Sequence, residues 1–303
     1  MTNGKELFVP AVLADVRTID PGEICGVTLV LPPEYEVDGK TLPIQDGMRP
    51  GNAFLAKPLG VRTGKFRRRM YTRSNAALKS GRVLETIIND THSEKSDTSP
   101  WWQSEQVEAL HREGGAIDVR VTVNPERTAL VVYENSAQCK PTNLRLEPEG
   151  EWEGMRFLGI ALSTGITPFL AHLRHMEAFG FGRKGTSSGC RFTLIVSVRN
   201  PRQLLEHEEL LALQRTFPEN FTYYPVLTRE WPENWPYGRG RIVRAKEGSA
   251  PQTAIDLAPL LSVVPDIEDR HVRLCGNRTA RNQFLQGLQE GQHPVLSFRS
   301  EVW

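Results

Sequence analysis

The sequence predicts a two-domain α+β protein, with an N-terminal antiparallel β-barrel followed by a C-terminal α/β domain built on a doubly wound parallel sheet. A length of 303 residues accommodates two domains of about 150 residues each. The first half of the chain contains short strand-like segments separated by turns, whereas the second half alternates apolar strands with amphipathic helices. We therefore place the first domain at residues 1–150 and the second at residues 151–303.

Short segments with β-strand character fill most of the first domain. Residues 118–123 alternate polar and apolar side chains, as expected of a half-buried antiparallel strand. Strands are predicted at residues 11–19, 24–31, 53–59, 69–74, 83–89, 117–123 and 129–134. Six or seven strands of this kind suggest a closed barrel.

A polar stretch at residues 89–100 interrupts these strands and predicts a loop. Ser99 and Pro100 have the N-cap and first-turn preferences of a helix start, so a helix is predicted from there to about Arg112. Residues 141–154 are polar and lack periodicity, which is typical of a domain boundary.

The second domain alternates strands and helices. Strands are predicted at residues 155–162, 192–198, 221–227 and 271–275, and the nearly continuous apolar side chains indicate burial on both faces. One helix is predicted to start at Thr167-Pro168, a second to run over about 204–217, and a third to follow residue 275. This alternation is typical of a nucleotide-binding sheet.

Composition excludes several classes of function. The formal net charge is +1, and no apolar run approaches the ~20 residues of a membrane span, so neither nucleic-acid nor membrane binding is expected. The four cysteines never form a Cys-x-x-Cys pair, which argues against a disulfide framework, a zinc site or an iron–sulfur cluster. We expect a cytoplasmic protein without a metal site.

Arg69, Tyr71 and Thr72 combine a guanidinium, an aromatic ring and a hydroxyl within one predicted strand. Such a set can pair a phosphate, stack on a flat cofactor and hydrogen-bond a ring edge. The same residues also fit an exposed basic strand with one half-buried tyrosine.

The turn at residues 162–168 joins a predicted strand to a predicted helix and contains Thr164 and Gly165. Backbone N–H groups at such a turn suit a dinucleotide pyrophosphate, although a plain capped helix start fits equally well. Arg199, Arg229 and Arg241 follow strands of the same sheet and could converge on one phosphate, or could each be a solvated loop residue.

Two further residues stand at strand or chain ends. Cys275 follows a strand within Cys275-Gly276-Asn277, where a free cysteine is often core filler. Trp303 ends the sequence, and a terminal ring can either fray or cover a flat cofactor.

In combination, these motifs resemble the ferredoxin–NADP reductase family over nearly the whole chain. The family's flavin-binding Arg-x-Tyr-Ser strand matches residues 69–72, its Gly-containing turn before Pro matches residues 164–168, and its Ser-Arg-Glu matches residues 228–230. Gly-Arg-Ile matches residues 240–242, Cys-Gly-Asn matches residues 275–277, and the terminal Glu-x-aromatic matches residues 301–303.

The resemblance implies an FAD-binding barrel followed by an NADP-binding α/β domain. Tyr71 and Trp303 would cover opposite faces of the isoalloxazine ring, and Arg69 would pair the FAD pyrophosphate. Ser99 is our substitute for a family phosphate-binding serine, Thr164 and Gly165 would hold the dinucleotide, and Arg199, Arg229 and Arg241 would hold the 2′-phosphate of NADP.

By the same resemblance, Thr72, Cys275, Glu301 and Trp303 would line the point of hydride transfer between nicotinamide C4 and flavin N5. If Trp303 covers the face that nicotinamide needs, deleting Trp303 tightens nicotinamide binding and weakens the preference for NADP over NADH. A titration with both nucleotides checks this expectation, and unchanged binding of both contradicts it.

The predicted function is electron transfer between NADPH and a one-electron carrier, ferredoxin or flavodoxin. Such carriers are acidic, and Arg67, Arg68, Arg69 and Arg73 could contribute to their docking. Two alternatives remain open. The chain could be the reductase component of an oxygenase system with another acceptor, or a flavin- or nucleotide-binding module without catalysis.

Overall fold

The N-terminal part of the chain forms a curled antiparallel sheet. The structure is a computed structural model that describes residues 7–45, 50, 52–75, 82–90, 96–132, 154–178, 180–181, 189–245 and 255–302. The chain divides into two units, one comprising Met1–Arg145 with Leu170–His175 and the other comprising Leu146–Phe169 with Met176–Trp303. The predicted boundary at residues 141–154 lies outside the described residues, apart from Gly154.

Among the described residues, nine strands form the sheet of the first unit. They are β1 (Leu7–Asp20), β2 (Ile24–Val30), β3 (Glu34–Val37), β4 (Lys40–Gln45), β5 (Ala53–Ala56), β6 (Arg69–Thr72), β7 (Val83–Asn89), β8 (Ala116–Val123) and β9 (Leu130–Val132). The strand order is β3-β4-β9-β8-β1-β2-β7, and β5 pairs with both β6 and β8. The ladders are antiparallel except between β4 and β9.

Alternation along the strands places one face of this sheet in a core. Val9, Ala11 and Leu13 of β1 are buried, whereas the residues between them are exposed. The sheet forms a half-barrel around this core, which confirms the predicted antiparallel barrel class.

Two elements of the first unit differ from the prediction. The β3–β4 hairpin was not predicted, although Asp38-Gly39 at its turn has positive φ angles of 50° and 76°, as a type I′ turn requires. The segment predicted to be one helix instead forms two helical elements, a 3₁₀ turn at Pro100–Gln103 and the α-helix α1 at Glu105–Arg112. The helical conformation is interrupted at Ser104, whose ψ of 157° is extended rather than helical.

The second unit contains a six-stranded sheet in the order β13-β12-β11-β10-β16-β17. Its strands are β10 (Arg156–Leu162), β11 (Arg191–Val198), β12 (Phe221–Leu227), β13 (Gly238–Arg239), β16 (His271–Gly276) and β17 (Ser297–Val302), all paired in parallel. A separate two-stranded ladder joins β14 (Arg244–Ala245) to β15 (Ile255–Asp256). The first strand, β10, lies between β11 and β16, so the strand order reverses there.

Among the described residues, three α-helices lie wholly in the second unit: α3 (His207–Thr216), α4 (Ala258–Leu261) and α5 (Arg278–Glu290). Helix α2 (Thr167–Ala178) has residues in both units. Helix α3 starts at His207 rather than at Leu204, because Glu206 adopts a left-handed φ of 52°. The strand β17 was not predicted, since its six residues are all half-buried and carry no clear apolar alternation. The predicted parallel α/β class is confirmed.

No helix among the described residues combines the length and apolar content needed to cross a bilayer. Cys25, Cys190 and Cys275 are buried thiols, and Cys139 lies outside the described residues.

Candidate active site

Strand β6 places Tyr71 in an aromatic cluster of the first unit. Its ring centroid lies 5.8 Å from that of Phe54, the residue opposite it on β5. Trp102 packs edge-on, with centroids 5.6 Å apart and planes at 88°. The Trp102 Nε1–H also donates a hydrogen bond of 2.9 Å to the Tyr71 hydroxyl. Tyr71 is therefore held at both its ring and its hydroxyl.

Thr98 connects Tyr71 to Arg69. The Arg69 Nε–H donates to the Thr98 Oγ1 at 3.1 Å, and the Thr98 side chain also hydrogen-bonds Tyr71. Burial raises the pKa of the Tyr71 phenol well above its ordinary value, and the Trp102 hydrogen bond opposes this rise only in part. The phenol is therefore neutral at physiological pH.

Asp97 anchors the neighbouring loop at residues 60–63. Its carboxylate accepts hydrogen bonds from the Thr63 hydroxyl at 2.6 Å and from the Arg62 backbone N–H at 2.9 Å. These bonds, followed by the charges of Arg62 and Arg67, hold the pKa of Asp97 below its usual range. Gly60 is required beside this carboxylate, because a Cβ there would lie 2.2 Å from Asp97 Oδ2.

Ser99 lies next to Thr98 in the same segment. It occupies the N-cap position of the 3₁₀ turn with Pro100 in the first turn, as predicted, but its hydroxyl makes no capping bond. The hydroxyl instead lies 2.8 Å from the Ser96 hydroxyl. Ser99 and Ser96 stand one and two residues from Thr98 in the sequence. A role for Ser99 towards phosphate stays a prediction.

Arg73 corrects one expectation. It was predicted to contribute to carrier docking, but its side chain is 0% exposed. Its Nε–H donates to Asn75 Oδ1 at 2.7 Å and its guanidinium also reaches the Val83 carbonyl. Arg73 therefore stabilises the chain after β6 and cannot contact a partner. Arg67, Arg68 and Arg69 are exposed.

In the second unit, a cavity of about 320 Å³ opens at the carboxyl ends of the parallel strands. It is lined by residues that end or follow β10, β11, β12 and β16, together with the first turns of α5: Leu162, Ser163, Val198, Arg199, Thr228, Leu274, Asn277 and Ala280 among others. Ligands bind at this edge in open parallel sheets. Arg199 and Arg241 line the cavity, and its described lining includes no carboxylate.

The third predicted arginine has a different position. Arg229 is exposed and is not among the residues that line the cavity, although its backbone N–H donates to the Arg199 carbonyl at 3.0 Å. Arg199 and Arg241 are therefore brought together at one cavity, and a phosphate contact by Arg229 stays a prediction.

The turn between β10 and α2 forms a 3₁₀ turn at Ser163–Ile166 that contains Thr164 and Gly165. Ser163 lines the cavity and has a left-handed φ of 51°. A glycine would adopt this φ without the cost of about 1–2 kcal/mol that a Cβ imposes. The turn therefore keeps the glycine-type conformation with a serine. Direct contacts of Thr164 and Gly165 with a nucleotide stay predictions.

Cys275 and Glu301 are neighbours on the parallel strands β16 and β17, where they form a register pair. Glu301 Oε2 is buried and makes no hydrogen bond with any described residue. Burial raises the pKa of Glu301, and burial followed by the Glu301 charge raises the pKa of Cys275 well above its usual value. Both groups of the pair therefore hold their protons more tightly than they would in water.

Gly276, next to Cys275, allows the Leu162 side chain to lie close to the β16 backbone, because a Cβ at this position would lie 2.6 Å from that side chain. Trp303 lies outside the described residues.

Sequence reasoning missed Thr98 and Trp102 beside Tyr71, and Gln203 in the cavity lining. The Trp-Trp pair at 101–102 after a polar loop was the available signal for Trp102, since large rings at a loop end usually pack on a nearby core. Gln203 carries no comparable pattern.

Comparison with known families gives a match in the C-terminal half of the chain. Residues 160–283 match the oxidoreductase NAD-binding domain. A segment of 107 residues is 32% identical to human NADH-cytochrome b5 reductase 2, and covers 34% of this chain and 36% of that protein. The chain therefore aligns with only about a third of that relative.

Solved structures share the fold across both units. A cytochrome P450 reductase from Amycolatopsis has a TM-score of 0.65 at 15% identity, covering 100% of this chain and 71% of that one. The cytochrome b5 reductase domain of Ulva prolifera nitrate reductase has a TM-score of 0.60 at 15% identity, covering 97% of both chains. A ferredoxin NADP⁺ reductase from Neisseria gonorrhoeae, with bound FAD and NADP, has a TM-score of 0.60 at 18% identity, covering 97% of this chain and 98% of that one.

The cofactors bound in the Neisseria reductase are the two that the sequence resemblance implies. Residues 160–283 thus match an oxidoreductase NAD-binding domain, and the chain has the two-domain fold of the ferredoxin–NADP reductases and cytochrome b5 reductases, in agreement with the resemblance.

Proposed function

We propose that the protein is a flavin-dependent oxidoreductase that passes electrons between NADPH and a one-electron carrier such as ferredoxin or flavodoxin. When bound, FAD would accept a hydride from NADPH and release electrons singly. The observation that carries the proposal is the cavity at the strand ends of an NAD-binding domain, lined by Arg199 and Arg241 and by no described carboxylate.

The charge of that cavity supports NADPH over NADH. Two guanidinium groups can bind a 2′-phosphate through charge-assisted hydrogen bonds, and NADH lacks this phosphate. A neutral or acidic lining would favour the unphosphorylated nucleotide instead. Arg229 is the candidate for an additional contact from the rim.

The residues of the first unit support FAD. In this proposal Tyr71 covers one face of the isoalloxazine ring, Thr72 supplies a hydroxyl near its edge, and Arg69 pairs the pyrophosphate. Arg69 is exposed but already oriented by Thr98 at 3.1 Å, and Ser96 and Ser99 place two hydroxyls close by in sequence. A guanidinium beside hydroxyl groups is a suitable donor set for phosphate.

Cys275 and Glu301 are proposed to act at the nicotinamide. The buried Glu301 oxygen has no hydrogen bond with any described residue and is suited to accept one from a bound ligand. Cys275, held neutral by burial and by the Glu301 charge, would pack against the ring without presenting a nucleophile.

An acidic protein carrier suits the surface near β6. Arg67 and Arg68 are exposed, and Phe66 beside them is 69% exposed. Charged groups around an exposed apolar side chain can steer and then hold an acidic partner. Cytoplasmic residence stays a prediction from the sequence.

The test is to purify the protein and measure its flavin content, and then to mix it anaerobically with NADPH. The reduced protein is next mixed separately with ferredoxin, flavodoxin and cytochrome b5. We expect bound FAD, reduction by NADPH, and fast reoxidation by ferredoxin or flavodoxin. Colourless protein without diaphorase activity towards an artificial acceptor would favour a non-catalytic module.

A second candidate function is electron delivery to a haem protein, either directly or within an oxygenase system. The similarity to cytochrome P450 and cytochrome b5 reductases favours it. In the same experiment, reoxidation by cytochrome b5 that exceeds reoxidation by either carrier would support this candidate instead.

A further inference from the structure

The hydroxyl of Tyr71 is bound by side chains that lie 27 and 31 residues later in the chain. We propose that Trp102 and Thr98 are positioning residues that fix the Tyr71 ring for flavin stacking, an inference that rests on the proposed function of Tyr71. Neither residue belongs to the motifs that predicted the flavin site.

The contacts of Tyr71 restrict both of its side-chain torsions. The 2.9 Å hydrogen bond from Trp102 Nε1 fixes the hydroxyl end of the ring axis. The edge-on Trp102 ring at 88° and the tilted Phe54 ring at 39° then restrict rotation about that axis. The ring therefore has one defined plane before any cofactor binds, which lowers the entropic cost of stacking.

Thr98 contacts both the Tyr71 side chain and Arg69, the residue proposed to bind the FAD pyrophosphate. A guanidinium can only donate, so the Thr98 oxygen accepts the Arg69 Nε–H at 3.1 Å. The Thr98 side chain also interacts with the Tyr71 hydroxyl. One buried threonine hydroxyl thus orients both the stacking ring and the guanidinium.

The burial of both residues supports a fixed geometry. Trp102 and Thr98 are each 1% exposed, so water cannot replace either hydrogen bond. The preceding residue, Asp97, is itself anchored to Thr63 and Arg62. The segment at residues 97–102, which includes the end of the polar stretch at residues 89–100, therefore supports β6 from outside the flavin motif.

Trp101 offers a matched control. It is 5% exposed and packs against Trp102 with ring centroids 5.1 Å apart, so the two indoles share one environment. Its Nε1–H makes no hydrogen bond with any described residue. Trp101→Phe and Trp102→Phe therefore remove the same group from the same cluster, but only Trp102→Phe breaks the bond to Tyr71.

The experiment compares Trp102→Phe, Trp101→Phe, Thr98→Val and wild type in FAD affinity, in visible circular dichroism of the bound flavin, and in Tm. We expect Trp102→Phe to weaken FAD binding about fivefold, the value of one hydrogen bond, and to change the flavin spectrum. Trp101→Phe, which breaks no hydrogen bond among the described residues, should lower Tm less and leave the flavin spectrum and FAD affinity unchanged.

A Tyr71→Phe background separates positioning from general packing. Without the Tyr71 hydroxyl, Trp102→Phe should cause no further change in the flavin spectrum. Should Trp102→Phe fail to fold, Thr98→Val gives the same comparison in the wild-type and Tyr71→Phe backgrounds.

Three outcomes are distinct. Wild-type protein that binds no FAD contradicts the proposed function and the inference with it. Wild type that binds FAD while the Trp102 and Thr98 variants match Trp101→Phe in spectrum and affinity overturns the inference alone. Spectral changes that persist undiminished in the Tyr71→Phe background also overturn it, because they act through another route.

Discussion

The two candidate cofactor sites differ in whether their polar and aromatic groups bind one another or are left to bind a ligand. Around Tyr71, the described aromatic and hydroxyl groups bind one another, and the ring is held in one plane by Trp102, Thr98 and Phe54. The second unit instead presents an open cavity with two arginines, and a buried Glu301 oxygen that bonds to no described residue. A stacking face benefits from rigidity, whereas recognition of a charged ligand that must enter and leave requires polar groups that the ligand itself satisfies.

The largest effect is expected from Tyr71→Ala. It removes the stacking ring and leaves the Trp102 Nε1–H unpaired, so FAD affinity should fall by about 30- to 100-fold, or ~2–3 kcal/mol. Fluorescence titration of the apoprotein with FAD measures this change. Phe66→Ala removes a 69% exposed ring near β6 and is the control, with no change expected. Equal FAD affinity in Tyr71→Ala and wild type would contradict the role of Tyr71 as a rigid stacking face, and with it the difference drawn between the two sites.

A smaller and more selective effect is expected from Arg199→Ala and Arg241→Ala. Loss of one charge-assisted hydrogen bond should weaken NADPH binding by about 10- to 100-fold and leave NADH within about twofold. Arg229→Ala provides the comparison, because Arg229 is exposed outside the cavity lining and should have a weaker effect. Titrations of all three variants with NADPH and with NADH measure these affinities. Parallel losses for NADPH and NADH would show that the arginines do not recognise the 2′-phosphate.

The smallest effect concerns the pH dependence of stability. Burial raises the pKa of Glu301, so the folded protein holds this proton more tightly than the unfolded chain. The stabilisation that this provides is complete below the ordinary value of 4.5 and is lost as the pH rises through the raised folded pKa. Glutamine does not titrate, so the Glu301→Gln variant does not lose this stabilisation as the pH rises. The Tm of the variant minus the Tm of wild type should therefore increase by a few degrees between about pH 4 and about pH 8.

Thermal melts across this pH range test the Glu301 prediction, with Glu219→Gln at an exposed position as the control. A Tm difference between Glu301→Gln and wild type that stays constant with pH would mean that the Glu301 carboxyl meets no burial penalty in the folded protein.

The sequence predicted those features that are encoded locally. Strands such as β10 and β11 are identified by their continuous runs of apolar residues. The grouping of strand-end arginines follows from them, because parallel strands share one carboxyl edge. The β3–β4 hairpin had a recognisable Asp38-Gly39 signal, which a search for turn dipeptides would have found.

Long-range packing was not predictable in this way. The bond between Tyr71 and Trp102 joins residues 31 positions apart, and nothing in either local pattern specifies it. Burial of Arg73 depends on partners such as Asn75 and Val83 that only the folded chain brings to its guanidinium. Strand β17 lacks apolar alternation, and its position follows from pairing with β16 rather than from its own sequence.

The central claim is that a flavin beside Tyr71 is reduced by NADPH recognised through Arg199 and Arg241. Anaerobic stopped-flow mixing of the FAD-loaded protein with subsaturating NADPH or NADH measures the rate at which the flavin absorption bleaches. We predict that NADPH is faster than NADH by about tenfold or more, and that the advantage disappears in the Arg199→Ala, Arg241→Ala double variant. Equal rates with both nucleotides in the wild type, or no bleaching with either, would contradict the claim.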